Sequence, residues 1–119
     1  MPTREDVLAI RSIDDAFDLS TTKIKPREVA LIRVALAEGL VQSTMHELHA
    51  ADDELIAERA VDRVIAEGRA ASKDVDPAGP RQIGINFEGR AGARRRIRVK
   101  VSWEDGYYVV TAHSIETDE

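Results

Sequence analysis

Asp105-Gly106, set between two runs of alternating apolar and polar residues, constrains this chain more than any other feature. A two-residue type I′ turn needs positive φ at both central positions, and Asp-Gly meets that need at low steric cost. Upstream, Ile97, Val99, Val101 and Trp103 alternate with Arg96, Arg98, Lys100 and Ser102, the period of a half-buried strand. A turn this short fixes register. It sets Glu104 opposite Tyr107, Trp103 opposite Tyr108, Val101 opposite Val110, Lys100 opposite Thr111 and Arg98 opposite His113. One face of the expected hairpin carries Ile97, Val99, Val101, Trp103, Tyr108, Val110 and Ala112. The other carries Arg96, Arg98, Lys100, Thr111 and His113.

Elements that cover the apolar face must come from the preceding chain. Thr3-Arg4-Glu5-Asp6 reads as a capping box, and Val7, Leu8, Ile10, Ile13 and Phe17 predict a helix over residues 4–17. Residues 18–25 form a polar connection. Pro26 opens a second helix carried by Val29, Ile32, Leu36 and Leu40, with Gly39 near its end. Ser43 or Thr44 caps further helix, and Leu55, Ile56, Val61, Val64 and Ile65 share a face up to Gly68, expected as a left-handed C-cap. Residues 69–81, with Pro77, Gly79 and Pro80, read as a loop, and residues 82–88 as a first strand turning through Gly89 and Gly92. The expected architecture is α+β: N-terminal helices packed on a three-stranded antiparallel β-meander. The 119 residues form a single domain, with 1–43 as an N-terminal helical extension and 44–119 as helix plus meander.

Charge is unevenly spread. Residues 1–80 carry net −6, residues 81–101 carry net +6 with Glu88 the only acid, and residues 102–119 carry net −5. The overall charge of −5 argues against a non-specific nucleic-acid coat, whereas a basic strand inside an acidic chain marks a focused anion site. No apolar run approaches the roughly 18 residues of a membrane span, so no membrane partner is expected. With no cysteine and no export signal at the start, a cytoplasmic location is expected.

Metal-independent RNA cleavage needs a proton-transferring group and cations for the charged phosphorane. Histidine titrates near working pH, and arginine matches phosphate oxygens with its fork. His113, Arg98 and Lys100 on the polar face, joined by His46 from the helix, are the candidate catalytic set. Arg94, Arg96, Tyr107 and Thr111 are the candidate RNA contacts. An ordinary solvated strand would carry the same charges. His46, His49 and Asp53 lack a distant further ligand and the spacing of a zinc-protease helix, so neither a metal nor another cofactor is expected.

The run from His46 to Gly68, with Ile56, Val61, Val64 and Ile65, and the terminal Val109-Val110-Thr111-Ala112-His113 resemble an uncharacterised bacterial toxin-like domain family. That family is distantly similar to the BrnT and RelE ribonuclease toxins, and the resemblance spans about residues 44–115. It implies a small RNA-cleaving toxin fold, active or decayed, with a cognate antitoxin-like protein as partner. The chain departs from the family pattern at Ala50 and Glu54, where arginines are usual, and at His113, where an aromatic residue is usual. The alternative reading is a non-catalytic protein-binding or dimerisation module.

Overall fold

The computed structural model describes residues 2–43, 58–76, 83–90 and 96–115, with residues 43, 58 and 113–115 entering by backbone alone. The element order is α1 (Arg4–Leu8), α2 (Ile13–Ala16), α3 (Pro26–Ala37), β1 (Val41–Ser43), α4 (Glu58–Glu67), β2 (Arg69–Asp74), β3 (Gly84–Arg90), β4 (Arg96–Glu104) and β5 (Tyr107–Ile115). The strands form one sheet in the order β1-β5-β4-β3-β2. β2 to β5 make an antiparallel meander, and β1 lies parallel to β5 at the far edge.

The hairpin has the register that its turn dictates. Trp103 pairs with Tyr108, Val101 with Val110, Lys100 with Thr111 and Arg98 with His113. Asp105 and Gly106 take φ of 54° and 95°, as a type I′ turn requires. The α+β class stands, but the sheet has five strands rather than three. Residues 69–81, expected as a loop, begin with β2. That strand has no β-branched or aromatic side chain and contains an irregularity between Ala70 and Ser72, both features of an edge strand. β1, with three residues, is too short to show any period.

The single helix expected over residues 4–17 is two. Ser12 is extended, with φ of −153° and ψ of 166°, and the Arg11 N–H donates 3.0 Å to the Asp15 carboxylate instead of continuing the α1 ladder. Side chains of this kind compete with the helix for backbone donors and restart it. Gly68 is not a left-handed cap either. A Cβ there would lie 2.4 Å from the Val64 carbonyl oxygen and 2.8 Å from that of Glu88, so glycine is needed where α4 meets β3. Of the helical segment expected after residue 43, residues 44–57 lie outside the described residues.

Packing follows from the two sheet faces. Ile85, Phe87, Ile97, Val99, Val101, Tyr108, Val110 and Ala112 are buried on the inner face, together with Val61, Val64 and Ile65 of α4 and Leu31 and Ile32 of α3. Phe17 meets Tyr108 edge to face at 6.3 Å. Arg33 lies over the Phe87 ring and donates to the Ile65 and Gly68 carbonyls at 2.9 and 3.0 Å, which occupies two acceptors left open at the end of α4. The described helices therefore pack on the apolar face, and the arginine face lies on the other side of the sheet.

One inner-face position breaks the apolar pattern. Lys73 of β2 is paired with Ile85 and is fully buried, and its ammonium lies 2.8 Å from Glu28 Oε2. The Glu28 carboxylate also accepts the backbone N–H of Asp18 at 2.6 Å and of Lys25 at 2.8 Å. It thus ties β2, the start of α3 and the 18–25 connection together.

Candidate nucleic-acid interface

The outer face of the sheet is built from cross-strand rows. One row crosses four strands as Arg69, Glu88, Arg98 and His113. The next row towards one end pairs Arg90 with Arg96. In the other direction come Ser72, Asn86, Lys100 and Thr111, then Asp74, Gly84, Ser102 and Val109. The last row pairs Glu104 with Tyr107.

Glu88 organises the arginine end. Arg98 donates from Nε at 3.1 Å and Nη2 at 2.8 Å to Glu88 Oε2. Arg69 and Arg96 approach Oε1 at only 3.6 and 3.7 Å, beyond hydrogen-bonding reach. The carboxylate side chain is 12% exposed, while those of Arg69, Arg96 and Arg98 are 74%, 43% and 42% exposed. Three permanent cations thus surround one sunken anion, and two of them keep loose contact with it.

The centre of the same face is different in character. Asn86 donates at 2.9 Å to both Ser72 and Asp74, and Lys100 lies 2.9 Å from Asp74. The Lys100 hydrogen bond, aided by that from Asn86, holds the Asp74 carboxyl below the usual carboxylate range against the opposing effect of burial. Asn86, Ser102 and Val109 are buried, so β3, β4 and β5 offer little open surface here, and accessibility is kept by Ser72 and Asp74 on the edge strand β2.

These positions sort the candidates expected from sequence. Arg96 and Arg98 come together at an open end, and the backbone register brings His113 opposite Arg98. Lys100 and Thr111 occupy the closed centre, with Lys100 engaged by Asp74. Tyr107 is 47% exposed on the same face but six residues along β5 from His113, a span of about 20 Å, so it does not join the cluster. His46 and Arg94 lie outside the described residues. Arg69 and Glu88 are site residues that the sequence reading did not select. Glu88 had a signal, as the lone acid of the basic stretch and two residues from Asn86 on the same strand parity. Arg69 had none once residues 69–81 read as a loop.

Other features offer less chemistry. A cavity of about 440 Å³ beside α2 and α3 is lined by Phe17, Leu19, Leu31, Asp18 and Glu28 among others. Its two central carboxylates are already committed, Asp18 to Lys25 and Ser20 and Glu28 to Lys73 and two backbone donors. Among the described residues no three histidine or carboxylate side chains converge as a metal site would require, and no helix is long and apolar enough to cross a membrane. Comparison with protein-family models, with curated proteins and with solved structures gives no match. The resemblance to ribonuclease toxins rests on its short motifs alone.

Proposed function

We propose that the domain binds RNA, gripping phosphates at the arginine end of the outer face. The observation that carries this reading is the imbalance around Glu88: three arginine side chains, one mostly and two partly exposed, against one sunken carboxylate. Arginine forks match phosphate oxygens, and a carboxylate beneath them fixes their placement before a ligand arrives. The exposed arginines of this face gather at that end, so contact is limited to two or three phosphates.

Fluorescence anisotropy with a single-stranded oligoribonucleotide tests the reading. The affinity is expected to fall with salt at a slope of log K against log salt of about −1.4 to −2, as two or three single-strand phosphates require. Arg98→Ala is expected to weaken binding at every RNA sequence tested. Absence of salt-dependent binding refutes the proposal. Cleavage of the toxin type rests on His113, which the register sets across from Arg98. Loss of cleavage in His113→Ala with binding retained supports an endoribonuclease, and no cleavage by the native chain leaves a binding module.

A further inference from the structure

Resting on that RNA-binding reading, we infer that the arginine end takes the terminal 5′-phosphate of an RNA in preference to internal phosphodiesters. The first argument is charge. An internal phosphodiester carries one negative charge, whereas a phosphomonoester carries about −1.5 to −2 at pH 7 and presents three strong acceptor oxygens. Arg69, Arg96 and Arg98 against Glu88 leave an excess of two positive charges, which matches the monoester.

Placement gives the second argument. Arg98 is held by its two hydrogen bonds to Glu88. Arg69 on β2 and Arg96 on β4 flank β3 from opposite sides, each too far from the carboxylate to hydrogen-bond to it. Two forks approaching from opposite sides suit a group with oxygens directed both ways, and an end group has one more of these than a linkage within the chain. The third argument is the closed centre of the face. A strand running through the cluster and along the sheet would have to cross buried Asn86, Ser102 and Val109 or pass the half-exposed Asp74 carboxylate on the β2 edge, whereas a strand that ends at the cluster avoids them.

The test compares one 3′-labelled oligoribonucleotide carrying a 5′-phosphate or a 5′-hydroxyl, with the full chain and anisotropy as readout. The phosphorylated form is expected to bind about tenfold tighter, the value of one additional charge-assisted contact. Arg69→Ala and Arg96→Ala, both on exposed side chains, are expected to bring that ratio towards one with an unchanged thermal midpoint. Equal affinity for the two RNA ends overturns the end-group inference and leaves RNA binding standing. Failure of both RNAs to bind refutes the RNA reading itself. A phosphoserine peptide that binds more tightly than the phosphorylated RNA overturns the assignment to RNA and points to a protein ligand.

Discussion

Replacing Lys73 by methionine isolates the energetics of the buried pair beneath β2. The substitution keeps side-chain length and apolar volume but strips the Glu28 carboxylate of the ammonium at 2.8 Å. Removing one member of a buried pair costs about 3–5 kcal/mol, because the other charge stays out of water uncompensated. Here the Asp18 and Lys25 N–H groups still solvate the carboxylate, at 2.6 and 2.8 Å, which places Lys73→Met at the low end, about 3 kcal/mol. Glu28→Gln is expected to cost about 4 kcal/mol, since it strands the ammonium and turns an amide N–H2 towards one of those two backbone donors. In the double variant both charges are gone and only the donor mismatch remains, at about 2 kcal/mol. Urea unfolding followed by the single tryptophan, Trp103, reads all four proteins. At this chain length 3 kcal/mol corresponds to a fall of about 12 °C in Tm. A double variant whose loss equals the sum of the single losses within about 0.5 kcal/mol refutes the coupling. So does a cost below about 1 kcal/mol for Lys73→Met.

Tyr108→Phe is expected to leave stability unchanged or raise it by about 1 kcal/mol, because the buried hydroxyl has no hydrogen-bond partner among the described residues; chemical denaturation checks the sign. Gly68→Ala is expected to lower the unfolding midpoint by the equivalent of about 2–3 kcal/mol, because the new methyl meets two backbone carbonyl oxygens rather than a side chain that can yield. Asp74 has a folded pKa below its unfolded value of about 3.9, so its contribution is complete above that value and is lost as pH falls through the folded pKa. An acid titration of the unfolding free energy is expected to show a shallower decline below about pH 4 in Asp74→Asn than in the native chain.

The parts of the fold that were legible are those whose cause is local. The β4–β5 hairpin follows from Asp105-Gly106 and a period of two, and both lie within twenty residues of sequence. β2 was illegible because its inner face carries only the small Ala70 and a lysine, Lys73. That position makes sense only beside Glu28, 45 residues away, and no window of sequence contains both. The division of α1 from α2 turns on whether Asp15 takes the Arg11 N–H, a choice between two hydrogen bonds of similar value. Gly68 has two explanations from sequence, a left-handed cap or a close approach, and only the position of β3 decides between them. The site shows the same division. Strand parity placed Arg96 and Arg98 on one face, but setting Glu88 beneath them needs the β3–β4 register, and Arg69 comes from a strand the sequence read as a loop.

The two faces of the sheet use the same chemistry to opposite ends. On the inner face one carboxylate meets one ammonium, both buried, and the carboxylate accepts two backbone N–H groups besides. Such a pair is neutral and closed, and it can fix the placement of β2 but cannot attract anything from solvent. On the outer face Glu88 meets three arginines that remain exposed, and only Arg98 is close enough to hydrogen-bond to it. Exposed ion pairs contribute about 0–1 kcal/mol each, and the mutual repulsion of three guanidinium groups subtracts from that. Stability therefore needs Arg98 alone, and the fold gains little from adding Arg69 and Arg96. What those two residues do change is the sign of the field at the open end of an otherwise acidic chain. A surplus of positive charge with no structural return is what an anionic ligand would be expected to use, and it sits where the outer face is open.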